Sequence, residues 1–301
     1  MADITASMVK ELRGSTGVGM MDAKKALVAN DGNMDASVDW LRSQGLSKAA
    51  KKSGRTAAEG LVGVETDGVV GSVIELNSET DFVARNEDFQ SFVKQVVGVA
   101  KSVSTLEELA AADLNGKPVS EKLTDMITTI GEHMTLRRMT TLKVSEGAVV
   151  GYVHSALADG LGSIGVLVAL ESSASADVLQ EIGKKVAMHI AAASPQFLNK
   201  DDVSADVLER ERAVLKEQAI ASGKPPEIAE KMVEGRIRKF YGEICLTEQS
   251  FIMDTDKTVA EAIADVDKDI KLVAFARIQL GEGIEKKEED FAAEVAAVVN
   301  G

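Results

Sequence analysis

The stretch VVGSVIEL (69–76), NSETDFVARNEDF (77–89), QSFVKQVVGV (90–99) decides the fold, because it turns a strand into a helix within a dozen residues. Val73, Ile74 and Leu76 form a short apolar run behind the turn residues Asp67 and Gly68, which predicts a strand. From Asn86 onward, Phe89, Phe92, Val93, Val96 and Val97 recur at helical spacing, with Asn86 as the N-cap. Thr80, Asp81, Phe82 and Val83 lie between the two elements. A carboxylate beside a large ring at such a connection admits two readings. Asp81 can cap a turn while Phe82 packs inward, the commoner fate of such a pair. Alternatively the ring enters a partner's groove, and the carboxylate competes there with an acidic or phosphate network.

Working outward, residues 1–54 read as three short helices. Ile4, Met8 and Leu12 share a face of the first; Met20, Met21, Ala23, Ala26 and Leu27 carry the second; Met34, Val38 and Leu41 open the third, after the turn residues Asn30, Asp31, Gly32 and Asn33. Lys48, Lys51, Lys52 and Arg55 follow as a basic connector, read as a solvated helix end and linker, with a phosphate-contacting patch as the rarer alternative. Residues 55–145 form an α/β unit: two strands around a Thr66-Asp67-Gly68 hairpin turn, the helix from Asn86, a second helix over residues 119–134, and a strand over 136–142.

A weak internal repeat extends the pattern. EGLVG (59–63) and GSVIEL (71–76) match EGAVVGY (146–152) and GSIGVLV (162–168), each pair being followed by a helix and a closing strand. Two small antiparallel sheets, each with helices on one face, make the fold class α+β. The second unit, 146–284, carries an inserted helical hairpin at about 203–240, with Ser204 as N-cap and a break at Gly223-Lys224-Pro225-Pro226. Val207, Leu208, Val214, Leu215 and Ile220 on one arm and Ile228, Met232, Ile237 and Phe240 on the other form a stripe that zips the arms together or meets another molecule. Residues 285–301 read as a short terminal helix carrying Phe291, Val295 and Val298.

Composition narrows function. With 34 Lys and Arg against 48 Asp and Glu, the net charge of −14 disfavours nonspecific grip on nucleic acid, which needs positive charge to displace counterions. The one cysteine, Cys245, excludes an intrachain disulfide and fits a reducing compartment. The opening residues lack signal-peptide order, and no apolar run approaches the ~18 residues of a membrane span, so a soluble cytoplasmic protein is expected. No catalytic constellation emerges. His133, His154 and His189 are scattered, and a lone histidine on an apolar face, as at His189, is read as a satisfied core residue. The chain has no phosphate-binding G-x-x-x-x-G-K-[ST], and a single cysteine makes no zinc site of the usual kind. No cofactor, no metal and no covalent chemistry are expected.

Four runs carry a resemblance: TDFVA (80–84), VKELR through TGVGMMDAKKAL (9–27), VAMHIAA (186–192) and IAEKMVEGR (228–236). Their wording and order are similar to those of the bacterial elongation factor Ts family, the guanine-nucleotide exchange factors of elongation factor Tu. The resemblance implies a translation elongation factor that binds Tu in its GDP-bound and nucleotide-free forms. It implies a ubiquitin-associated-like module over 1–54 docking on the G domain. It also implies that Asp81 and Phe82, within Thr80 to Val83, wedge into that domain and disturb its Mg²⁺ site. Val18, Gly19, Met20 and Lys24 and, in the second unit, His154 are implied as further contacts. Ala23 stands where many relatives have Cys, and the turn at 156–162 is longer than in some. A dimer or a 2:2 complex through the hairpin is left open, without direct nucleic-acid or membrane contact. The competing class is a scaffold that binds Tu, or another protein, without altering nucleotide kinetics; a hydrolase lacks any nucleophile–base spacing.

Overall fold

The computed structural model describes residues 4–16, 18–221 and 226–285. The anticipated terminal helix, and with it Phe291, Val295 and Val298, lies outside the described residues. Three helices come first, α1 (Ala6–Thr16), α2 (Met20–Ala29) and α3 (Met34–Lys52). Asn33 caps α3 by accepting from the Ala36 N–H, after Asp31 and Gly32 turn the chain at φ 49° and 80°. Their shared core holds Leu12, Ala23, Ala26, Leu27 and Leu41, with Ile4, Met8 and Met34 at its margin. Met20 and Met21 are not in it: they are 62% and 66% exposed, because Ala23, Ala26 and Leu27 already occupy the one face that a ten-residue helix turns inward.

Strands β1 (Glu59–Asp67) and β2 (Val70–Ser78) then pair antiparallel around Gly68. A one-turn helix, α4 (Asp81–Ala84), precedes α5 (Glu87–Ala100), whose N-cap Asn86 accepts from the Phe89 N–H at 3.0 Å. Next come α6 (Leu106–Ala111), opened by a Thr105/Glu108 capping box, and α7 (Val119–Ile130). Gly131, at φ 91°, ends α7, so Met134 opens strand β3 (Met134–Lys143) instead of closing the helix as its apolar spacing suggested.

The second unit follows with β4 (Gly147–His154), the two-residue β5 (Leu161–Gly162), β6 (Ile164–Glu171) and α8 (Ala176–Ala193). The arms of the hairpin are α9 (Ala205–Ala221) and α10 (Pro226–Ile244), and the Ser204 hydroxyl accepts from the Val207 N–H at 3.4 Å. Leu215, Ala219 and Ile237 are buried on arms that pack against each other, whereas Val214, Ile220 and Ile228 face water, so only part of the stripe zips the hairpin. The short pair β7 (Ser250–Phe251) and β8 (Asp254–Thr258), then α11 (Val259–Val266) and β9 (Lys271–Gln279), complete the fold.

The sheets are β3-β2-β1-β5 and β4-β6-β9, and they stack face to face. In β2, Val73 faces the second sheet while Ile74 and Leu76 face α5; in β6, Leu167 and Ala169 face the first sheet while Val166, Val168 and Leu170 face α8. Period-two alternation with both faces buried explains why these strands read as continuous apolar runs. The outer clusters close the layers: Phe89, Phe92, Val93 and Val96 of α5 on one side, Leu179, Ile182, Val186 and Ile190 of α8 on the other.

The repeat is structural. Gly60 at φ 119° lies opposite Asn77 and packs on the Leu76 carbonyl beside a bulge between Glu75 and Leu76. Gly147 at φ 123° lies opposite Glu171 and packs on the Leu170 carbonyl beside a bulge between Ala169 and Leu170. Only glycine allows the carbonyl so close at these angles.

Candidate partner-binding site

The loop between β2 and α5 is built by local rules. Thr80 is extended, at φ −122° and ψ 157°, and sits at the N-cap of α4. Its carbonyl accepts from the Ser78 hydroxyl at 3.0 Å. One helical turn buries one face, and Val83 and Ala84 take it, joining the cluster of Phe89 and Phe92. Phe82 therefore faces water and is 78% exposed, and Asp81 beside it is also exposed. The inward-packing reading of Phe82 is overturned, and the capping position belongs to Thr80 and not to Asp81. Phe82 is the one exposed phenylalanine among the described residues, in a chain only 4% aromatic.

The turn after α7 braces this loop. Glu132 accepts from the Thr80 N–H at 2.9 Å and from the Thr80 hydroxyl at 2.6 Å. In return Glu79 accepts from the His133 N–H at 2.5 Å and pairs with Arg55 at 3.3 Å. Burial lowers the pKa of His133; Glu79 opposes that shift and Arg55 adds to it. Sequence reasoning missed Glu132, since a lone carboxylate 52 residues from its partner leaves no local signal. Gln90 donates to the Ala84 carbonyl at 2.9 Å and holds the loop's other end.

The other anticipated contacts lie on separate elements. Val18 is buried in the three-helix core, whereas Gly19 and Lys24 are exposed and Met20, Met21 and Val28 form an apolar outer face of α2. His154 ends β4, exposed, with Nδ1 3.2 Å from the Tyr152 hydroxyl. Beside it, Leu157 is 47% exposed on the loop that leads into β5. His189 is a satisfied core histidine: its Nε2 meets Gln249 at 2.9 Å, its Nδ1 accepts from the Ile252 N–H at 3.3 Å, and burial lowers its pKa. Among the described residues no group of three or more His, Cys, Asp and Glu is arranged for a metal ion, and no helix is long and apolar enough to cross a membrane.

Residues 79–282 match the family model described as Elongation factor TS, a span that begins at the braced loop. The chain belongs to the elongation factor Ts family. Curated relatives carry the likeness through the three-helix region as well. The elongation factor Ts of Sphingopyxis alaskensis is 58% identical over 99% of both chains. That of Allorhizobium ampelinum is 54% identical over the whole of both, and that of Rhodospirillum rubrum 53% over 99% of both. Membership makes this an elongation factor of protein biosynthesis, with the α+β architecture described above.

Proposed function

We propose that this member of the family binds elongation factor Tu·GDP and accelerates GDP release, after which GTP rebinds. The observation that carries the reading is the exposed Phe82 on a short helix pinned by buried Val83 and Ala84. An exchange factor performs no covalent step; it stabilises a state in which nucleotide contacts are broken. Each tenfold gain in release takes roughly 1.4 kcal/mol of preferential stabilisation. Burying one phenylalanine ring supplies about 2 kcal/mol, so Phe82 acts with other contacts. In this reading Asp81 and Phe82 enter the G domain, held in place by Thr80 and the buried Val83, and the motif Thr80 to Val83 dislodges Mg²⁺, removing the cation that anchors the phosphates. Met20 and Lys24 on α2, positioned by Val18 and Gly19, and His154 beside Leu157 add grip at a distance. By linkage, what weakens nucleotide weakens the factor in turn, so GTP displaces it and the cycle turns over. A cytoplasmic site of action follows from the role. The hairpin's exposed Val214, Ile220 and Ile228 favour a dimer or a 2:2 complex.

The test is release of fluorescent GDP from Tu with the full-length factor below stoichiometry. Multiple-turnover release slowed about 30-fold by Phe82→Ala, as the loss of ~2 kcal/mol predicts, supports the reading. Tight binding without acceleration overturns it in favour of a scaffold.

A further inference from the structure

We propose that Glu132 is a positioning residue for Phe82, holding the exchange loop from a turn 52 residues away; the inference rests on the wedge reading above.

The argument begins with what α4 lacks. Its four residues make a single turn, too short to hold itself in water. Thr80 is of the type that caps a helix with its hydroxyl, yet its side chain makes no bond to its own helix. The hydroxyl goes instead to Glu132 at 2.6 Å, and the same carboxylate takes the Thr80 N–H at 2.9 Å. A tertiary carboxylate thus holds the residue at the cap position itself, through two charge-assisted bonds to a residue two positions before Phe82. The strap is reciprocated one residue along on each side, where the His133 N–H reaches Glu79. The turn bearing Glu132 is itself fixed: Gly131 closes α7 at φ 91° and its carbonyl accepts from Lys52 at the end of α3. Buried Val83 and Ala84 anchor the far side of α4, but apolar packing alone leaves its N-terminal end free to fray. Glu132 fixes that end, and so the direction in which the ring projects.

A misplacement of about 1 Å in a group that acts in a transition state costs up to about a hundredfold in rate. Glu132→Ala should therefore lower the maximal rate of GDP release from Tu about tenfold, while the factor concentration giving half-maximal release moves less than about twofold. Glu132→Gln retains an acceptor for the N–H and a donor toward the hydroxyl, and should restore release to within about threefold of the parent. Thr80→Val, which severs only the hydroxyl bond, should slow release about threefold and guards against a Glu132→Ala protein that does not fold. In the Phe82→Ala background, adding Glu132→Ala should change release by less than about twofold, because the residue acts through the ring. A parent-like rate for Glu132→Ala and Thr80→Val, with Phe82→Ala slow, overturns the proposal alone. So does an undiminished tenfold loss in the Phe82→Ala background, which marks a general structural effect. If Phe82→Ala itself releases GDP at the parent rate, the wedge reading falls, and this inference with it.

Discussion

Phe82 and His189 show how far a single residue's environment departs from what its neighbours in sequence imply. Each has apolar neighbours along the chain, Val83 and Ala84 after Phe82 and apolar residues on both sides of His189, yet Phe82 is exposed and His189 is 1% exposed. The difference lies in the elements: one turn of helix spends its inward face on Val83 and Ala84, whereas the five turns of α8 bring His189 inward with Val186 and Ile190. Truncating Phe82 should leave stability within about 0.5 kcal/mol, since no packing is lost. His189 carries a pH prediction. Burial lowers its folded pKa below the ordinary value near 6.5, while Gln249 opposes the shift. The unfolded chain therefore takes up a proton first as pH falls. The stability that depends on a neutral His189 is complete above about pH 6.5 and is lost as pH drops through the folded pKa. His133, also lowered by burial, adds loss of the same sign. Thermal midpoints recorded from pH 7.5 to 5.5 should fall toward acid, and His189→Gln should flatten that slope even though its midpoint at pH 7.5 is lower. An unchanged slope would show that the folded protein protonates His189 freely.

Elements were legible where a local rule acts alone. The Asn86 cap, the Gly68 hairpin and the period of α5 were all readable, because capping, turn chemistry and amphipathicity operate within a few residues. Strand β3 was readable too, but its start was not, since Met134 continues the apolar spacing of α7 past the glycine that ends it. The short α4 and α6 escaped notice because a helix of one or two turns carries too few apolar positions to show a period. The glycines of the repeat make a quantitative case. A Cβ on Gly60 would lie 2.2 Å from the Leu76 carbonyl oxygen, and one on Gly147 2.1 Å from that of Leu170. Both backbones also sit at φ near 120°, outside the usual range of L-residues. Gly68 has positive φ as well, 57°, but an added Cβ meets nothing within 4 Å. Gly68→Ala should thus cost about 1 kcal/mol, whereas Gly60→Ala and Gly147→Ala should each cost on the order of 3 kcal/mol or more, as the strand pair must open to admit the methyl group. Thermal unfolding of the three variants ranks them, and a Gly147→Ala protein as stable as Gly68→Ala would refute the equivalence of the two bulges.

At the scale of the whole molecule, the sequence disclosed two similar α/β units but not how they join. A strand buried on both faces reads the same whichever sheet covers it, so the stacking through Val62, Val73, Leu167 and Ala169 left no separate trace. The brace of the loop that carries Phe82 was equally hidden, being made by Glu132 across 52 residues. A third long-range device pins the units together. Glu75, on β2 at the bulge, is 0% exposed. It accepts from Arg137 at 3.2 Å, from Arg138, from Asn77 at 3.0 Å and from the Gly281 N–H at 2.8 Å. The two arginines reach on to the carbonyls of Glu282 and Gln279, at 2.8 and 2.7 Å, just past the end of β9 and at its last residue. Ala169 occupies the matching place beside the bulge in β6, so only the first unit has this pin. The partners differ in access to water: the arginine side chains are 27% and 31% exposed, the carboxylate not at all. Removing the carboxylate leaves two cations that can turn to solvent, whereas removing the cations strands a buried anion, which costs about 3–5 kcal/mol. Glu75→Leu should therefore lower the thermal midpoint less than Arg137→Met with Arg138→Met. The triple variant should recover part of that loss, since an apolar set replaces the stranded charge. If Glu75→Leu proves the more damaging, the pin acts through the shape and packing of Glu75, and the charge argument fails.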